Sequence, residues 1–275
     1  MLKKIVKKLY TLSRQMADPW NLLILIILLL AFILRTYRIE ALLDFHYDQG
    51  RDAKIIWDLW HNGKLFLIGP TTGLDGIFLG PFYYYLIAPF YLIGGGNPVV
   101  PSLFLSFLVT LSLFVLYKTG ELIGGRSAGF IALIIGTFSN HLIFSGRWLS
   151  NPTPIYLTSI LIFFLMVKIL KSSKNYYWYL IYLLIGFSLQ FEFASAVFYL
   201  PILLIFTAWK RPSVKTFLIS VLFLFVTLLP LIIFNFKHDN ILFTNAVREL
   251  NNDNKIKLDL VKRVGEIWKI TKEIF

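Results

Sequence analysis

The chain has 275 residues, of which 57% are hydrophobic and 15% are charged, and its formal net charge is +12. A mean hydropathy of +0.70 is too high for a water-soluble protein of this length, so the composition predicts a membrane protein. The absence of cysteine excludes disulfides, thiolate nucleophiles and cysteine-bound metals. Because the basic residues fall mainly between apolar runs, we attribute the positive charge to contact with the lipid bilayer and expect no nucleic acid partner.

Apolar runs predict about seven transmembrane helices, and therefore an all-α polytopic membrane protein. The first run, residues 22–34, is short for a crossing. Asp18 and Pro19 can begin its helix, and Arg35 and Arg38 can extend toward the surface at its other end, which gives enough length to cross. The other runs are residues 99–117, 128–144, 155–167, 176–191, 194–209 and 217–236.

The distribution of lysine and arginine predicts the orientation. With the N-terminus in the cytoplasm, the basic clusters after the second, fourth and sixth helices all fall on the cytoplasmic side, as the positive-inside bias requires. Residues 80–94 are also apolar, but an additional crossing there would invert every later loop. We therefore predict interfacial helices in the first extracytoplasmic loop.

Two further segments are distinct from the simple crossings. The stretch 176–209 is too long for one crossing and short for two, and Gln190 and Glu192 near its middle predict a helical hairpin with a polar tip. Residues 1–236 are predicted to form one seven-helix module in the cell membrane. Residues 237–275 are predicted to be an extracytoplasmic amphipathic segment, which either lies on the outer leaflet or begins a further region.

The first outer loop concentrates ionisable side chains beside the membrane. Asp48 and Arg51 are three residues apart, and on a short helix Asp48 and Asp52 share a face. Carboxylates that fold back over a helical bundle need a partner to offset their desolvation. The pattern is compatible with a solvated loop held by weak ion pairs and also with a functional site.

Four segments of the chain together resemble the C-type glycosyltransferases, and within them family 39, which includes protein O-mannosyltransferases and lipid A aminoarabinose transferases. Tyr47-Asp48-Gln49-Gly50-Arg51, just after the first helix, resembles the acidic motif of the family's first loop. Residues 80–85 resemble its tyrosine-rich interfacial segment, residues 147–152 its second outer loop, and residues 229–239 the end of its seventh helix.

This resemblance implies an inverting enzyme that moves a sugar from a polyprenyl-phosphate donor to a hydroxyl of an acceptor protein, lipid or glycan at the extracytoplasmic face. By resemblance, Asp48 is the general base. The candidates for binding the donor's phosphate or sugar are Arg51, Arg147, Asn151, Glu192 and His238, and the candidates for a second acid are Asp75 and Asp52. Because an asparagine stands at position 151, where relatives often carry Asp, a divalent metal is not favoured and we predict no cofactor.

Two other classes of function remain open. A polyprenyl-lipid transporter or flippase would bind the same lipids, but it is expected to carry charges near the midplane of several helices rather than at the outer surface. A non-catalytic membrane scaffold would tolerate neutralisation of Asp48, whereas the enzyme would not.

Overall fold

The computed structural model describes residues 18–74, 76–172, 174–251 and 265–269. Within these ranges the secondary structure is helical apart from one isolated bridge between Thr71 and Phe78, so the all-α prediction is confirmed for the described chain. Residues 265–269 are also helical. The helices are α1 (Pro19–Thr36), α2 (Ile39–Leu42), α3 (Tyr47–Asn62), α4 (Phe82–Ile93), α5 (Val99–Phe138), α6 (Asn140–Arg147), α7 (Ile155–Lys171), α8 (Tyr176–Phe191), α9 (Phe193–Ala196), α10 (Tyr199–Lys210), α11 (Val214–Lys237) and α12 (Ile241–Leu250).

Four helical segments of the described chain are long and apolar enough to cross a membrane, namely α1, α5, α9 with α10, and α11. Only 17% of the α1 window and 11% of the α11 window are buried inside the protein, which is expected where lipid rather than water covers the apolar side chains. A multi-pass membrane protein is therefore supported. Helices α7 and α8, with 17 and 16 residues, are apolar but shorter, and the predicted seven crossings stay a prediction.

Helix α5 is a hairpin of two antiparallel arms rather than one straight rod. The backbone of Gly125 leaves the helical region with a φ of 84°, and the chain reverses there. The two arms touch at glycines, because a Cβ at position 120 would lie only 2.8 Å from the Cα of Gly129. The runs 99–117 and 128–144 were predicted as separate helices. The second run is further divided at Ser139, whose hydroxyl caps α6.

The predicted break in the stretch 176–209 is present. Helix α8 ends at Phe191, and the Glu192 carboxylate accepts a hydrogen bond from the backbone nitrogen of Ala194 to begin α9. Helices α8 and α10 contact each other through side chains, with Trp178 against Phe206 at a ring-centroid distance of 5.4 Å. The polar residues therefore mark the place where this segment turns.

Gln190 fixes the beginning of α4 against two long helices. Its side chain is 2% exposed, its Nε2 donates to the Thr227 carbonyl of α11 at 2.7 Å, and its Oε1 accepts from the Phe82 backbone nitrogen at 3.2 Å. A Cβ at position 80 would lie 2.2 Å from the Gln190 Cγ, so only glycine fits there. A buried amide with both ends bonded fixes the loop before α4 against the bundle.

We predict that Gly129→Ala destabilises the α5 hairpin. The added Cβ would lie 2.5 Å from the Tyr117 carbonyl oxygen, a backbone atom that cannot move without separating the arms. Overpacking of this kind destabilises by about 1–3 kcal/mol, which we expect as a lower melting temperature of the detergent-purified protein. Gly73→Ala is the matched control, because a Cβ there meets nothing within 4 Å. Equal melting temperatures for the two variants would contradict the packing of the arms.

Candidate functional site

The candidate site is built on the first turns of α3. The backbone nitrogen of His46 donates to the Oε1 of Gln49 at 2.9 Å, which fixes the start of the helix. Asp48 lies in the first turn, where a negative charge interacts favourably with the helix dipole. The helix ends at Gly63, whose φ of 62° is the left-handed conformation that glycine adopts readily.

Arg51 joins the two predicted carboxylates. Its Nη1 donates to Asp48 Oδ1 at 2.9 Å and to Thr71 Oγ1 at 2.8 Å. Its Nε and Nη2 donate to Asp52 Oδ1 at 3.0 and 2.9 Å, and the hydroxyl of Tyr84 donates to the same oxygen at 2.9 Å. Since a guanidinium has five N–H groups, one N–H of Nη2 has no partner among the described residues.

The two carboxylates differ sharply in environment. The side chain of Asp48 is 69% exposed, whereas that of Asp52 is 7% exposed. Burial raises the pKa of Asp52 above its ordinary value of 3.8, and the hydrogen bonds from Arg51 and Tyr84 oppose this rise. Burial lowers the pKa of Arg51, but Asp52 and Asp48 outweigh it and raise that pKa overall. Asp52 is therefore a buried anchor for a charged Arg51, and Asp48 faces solvent.

A cavity of about 450 Å³ adjoins this network. Among the described residues, the charged or titratable side chains that line it are Arg51, Asp58, Lys64, Tyr84 and His238, so cations outnumber carboxylates around it. His238 enters from the end of α11, where its ring stacks on Phe234 at 4.1 Å and its Nδ1 lies 2.8 Å from the Phe234 carbonyl oxygen. The structure thus brings Arg51 and His238, predicted from distant parts of the sequence, to one cavity.

A tight loop between α3 and α4 forms one wall of this cavity. The backbone nitrogen of Gly69 donates to the Leu79 carbonyl at 2.7 Å, and the Leu79 nitrogen donates to the Pro70 carbonyl at 2.9 Å. A Cβ at position 69 would lie 2.0 Å from the Gly80 carbonyl oxygen, so this approach requires glycine. The same loop presents Thr71 to Arg51.

Arg147 lies at the end of α1 instead of in the cavity lining. Its Nη2 donates to the Leu34 carbonyl at 2.7 Å and its Nε donates to the Arg35 carbonyl at 3.3 Å. A cation at these carbonyls satisfies the C-terminal end of a helix. Arg35, which we predicted to extend toward the surface, is instead fully buried and donates to the Gly136 carbonyl in α5 at 3.0 Å.

Asn151 and Glu192 also make local backbone contacts. The Nδ2 of Asn151 donates to the Phe191 carbonyl at 2.6 Å, and Glu192 caps α9 as described above. Neither residue lines the 450 Å³ cavity. Asp75 lies outside the described residues. The roles predicted for these residues stay predictions.

Sequence reasoning did not identify Lys64, Thr71 or the site role of Tyr84. Lys64 directly follows the glycine that ends α3, and Tyr84 belongs to a tyrosine run that we assigned to the membrane interface. Tyr84 and its acceptor Asp52 are 32 residues apart in the sequence, so a local sequence pattern cannot predict their hydrogen bond. In the described part of the chain, no group of three or more His, Asp or Glu side chains is arranged to hold a metal ion.

Comparison with known proteins identifies the family. The family model described as dolichyl-phosphate-mannose-protein mannosyltransferase matches residues 79–235, more than half of the chain, and begins after Asp48 and Arg51. Comparisons with curated proteins and with solved structures gave no match. The matched stretch contains residues 80–85 and 147–152, two of the four segments that carried the sequence resemblance. The chain therefore belongs to the dolichyl-phosphate-mannose-protein mannosyltransferase family of membrane glycosyltransferases.

Proposed function

We propose that the chain transfers a sugar from a polyprenyl-phosphate donor to a hydroxyl of an acceptor protein, lipid or glycan, with Asp48 as the general base. Membership of a glycosyltransferase family supports the type of reaction. The observation that carries the proposal is the guanidinium of Arg51, which links solvent-exposed Asp48 to buried Asp52 at the edge of a cavity with further cations. A base and a phosphate-binding group are the two things that this transfer needs.

The proposed site faces the extracytoplasmic side of the cell membrane. We count seven crossings as α1, the two arms of α5, α7, α8, α9 together with α10, and α11, with the N-terminus in the cytoplasm. Helices of 16 or 17 residues are about 25 Å long, close to the hydrocarbon thickness of about 30 Å. With this count, α3 and α4 lie between the first and second crossings on the outer surface, where the lipid-linked donor and the acceptor meet.

In the proposed reaction the acceptor oxygen forms a bond to the anomeric carbon while the bond from that carbon to the phosphate oxygen breaks. The Asp48 carboxylate takes the acceptor proton, and the phosphate leaves with the bonding electron pair. Attack from the face opposite the leaving group inverts the anomeric configuration. The exposure of Asp48 allows an acceptor hydroxyl to reach it, since 69% of its side chain is accessible.

We assign the leaving phosphate to the cationic side of the cavity. Arg51 has one N–H without a partner among the described residues, and Arg51, Lys64 and His238 all line this cavity. Arg147, Asn151 and Glu192 act through the backbone carbonyls and the helix end that they hold. Asp52 is a positioning residue, because it orients Arg51 and is too buried to exchange protons freely with a substrate.

We predict that Asp48→Asn lowers sugar transfer by about 10²–10⁴-fold, the usual effect of removing a general base. The measurement is release of polyprenyl phosphate from a panel of polyprenyl-phosphate sugars, in membranes that contain equal amounts of each variant. Glu40→Gln is the control, because it neutralises an exposed carboxylate just before the same loop. If Asp48→Asn transfers sugar as fast as Glu40→Gln does, Asp48 is not the general base.

We predict that Tyr84→Phe shifts the acidic limb of the transfer rate to higher pH. The Tyr84 hydroxyl stabilises the charged form of Asp52, so its removal raises the pKa of Asp52 further above 3.8. Protonated Asp52 then releases Arg51 at a higher pH than in the wild type. The measurement is kcat/KM against pH for both proteins.

Tyr85→Phe is the matched control for this prediction. It removes an identical hydroxyl from the neighbouring residue, which hydrogen-bonds the backbone of Phe66 and no carboxylate. Its acidic limb should coincide with that of the wild type. Equal displacement in both variants would indicate a general loss of packing and would contradict the role of Tyr84 in holding Asp52.

We predict that Lys64→Gln raises the KM for the donor by about tenfold with a smaller change in kcat. A charge-assisted contact to phosphate contributes about 1.5–3 kcal/mol, of which the neutral amide retains part. Lys215→Gln, at the start of α11 and on the predicted cytoplasmic side, is the control of equal charge change. If the KM for the donor is unchanged in Lys64→Gln, the donor phosphate does not bind at Lys64 in this cavity.

A further inference from the structure

A second and larger cavity lies on the other side of α3 from Arg51. Its volume is about 610 Å³, and its walls are the later turns of α3, the end of α4 and the Gly95-Gly96 turn. The α3 residues that line it differ from those that line the 450 Å³ cavity, as the helical period requires for opposite faces. The reaction proposed above does not use this second cavity.

Two tryptophans form an apolar wall of this cavity. Trp57 and Trp60 are 55% and 41% exposed, unusually open for such large apolar side chains. The indole nitrogen of Trp60 donates to the Ala88 carbonyl at 3.2 Å, and Trp57 stacks on His61 at 3.6 Å. Both rings are therefore held in place with apolar surface accessible, as in a preformed ligand site.

The cavity adjoins the start of a candidate membrane span. Its Gly95-Gly96 turn comes only a few residues before Val99, where the candidate membrane span α5 begins. Leu92 in its wall is 56% exposed and the next residue, Ile93, is 75% exposed, which fits contact with hydrocarbon. Tryptophans concentrate at membrane–water interfaces because their rings are amphipathic.

The polar lining of the cavity carries positive charge without a carboxylate. Among the described residues that line it, Lys54 is the charged one, His61 adds an imidazole ring, and neither Asp nor Glu contributes. Within the described chain, Lys54 forms no ion pair, unlike Arg51 one turn earlier. Tyr91 also lines the cavity and is 4% exposed, and its buried hydroxyl has no hydrogen-bond partner in the part of the chain that the structure describes. An unpaired cation above an apolar wall is complementary to an amphipathic anion.

We propose that this cavity binds an anionic phospholipid of the surrounding bilayer. The phosphate of the headgroup contacts Lys54, and the start of an acyl chain lies along Trp57, Trp60 and Leu92. This lipid would anchor α3 at the membrane surface from the side opposite the 450 Å³ cavity. The proposal is independent of the sugar transfer, because it concerns binding and uses other residues.

The test is native mass spectrometry of the detergent-purified protein with phosphatidylglycerol and phosphatidylcholine of identical acyl chains. We expect the wild type to retain more phosphatidylglycerol than phosphatidylcholine. Lys54→Gln should lower its affinity for phosphatidylglycerol by about fivefold, since one basic residue contributes about 1 kcal/mol to binding of anionic lipid. Trp57→Leu should weaken the binding of both lipids.

Lys237→Gln is the control, because it removes the same charge at the end of α11, away from this cavity. Its affinity for phosphatidylglycerol should equal that of the wild type, and melting temperatures should confirm that all variants are folded. Equal retention of the two lipids by the wild type would overturn the proposal. Retention of phosphatidylglycerol by Lys54→Gln at the wild-type level would also overturn it.

Discussion

The guanidinium of Arg51 is the interaction on which the candidate site depends. It holds Asp48 on one side, Thr71 of the following loop on another, and buried Asp52 on a third. A buried carboxylate that already receives a hydrogen bond from Tyr84 gives this arginine a fixed position that an exposed ion pair would not give. The exposed carboxylate of Asp48 is thereby kept at a defined place beside the cavity.

The membrane helices contribute to this arrangement through a few polar contacts between apolar surfaces. Gln190 bonds α11 and the start of α4 at once, and α4 carries Tyr84 to Asp52. In lipid the apolar faces have little preference for one another, so interhelical hydrogen bonds and close glycine contacts determine the packing. The contact between the arms of α5 at Gly129 is such a close glycine contact.

The general architecture could be predicted from the sequence because apolar runs, helix breaks and basic loops are local features. The break at Glu192 follows from such a pattern. The hydrogen bond from Tyr84 to Asp52 and the entry of His238 into the cavity could not be predicted, because they depend on contacts between distant parts of the chain. For Arg147 the local pattern was visible but ambiguous. An arginine beside a helix end can bind a phosphate or the backbone carbonyls of a neighbouring helix, and the sequence does not distinguish the two.

We propose an inverting sugar transfer in which Asp48 is the base and Arg51, which lines the 450 Å³ cavity, stabilises the leaving phosphate. The most direct test is the anomeric configuration of the product, measured by nuclear magnetic resonance after the purified chain in liposomes has acted on a panel of polyprenyl-phosphate sugars with membrane acceptors. Transfer with inversion is the predicted result, because a single displacement uses one base and one leaving phosphate. A retained configuration would require a covalent intermediate or a second displacement and would contradict the account.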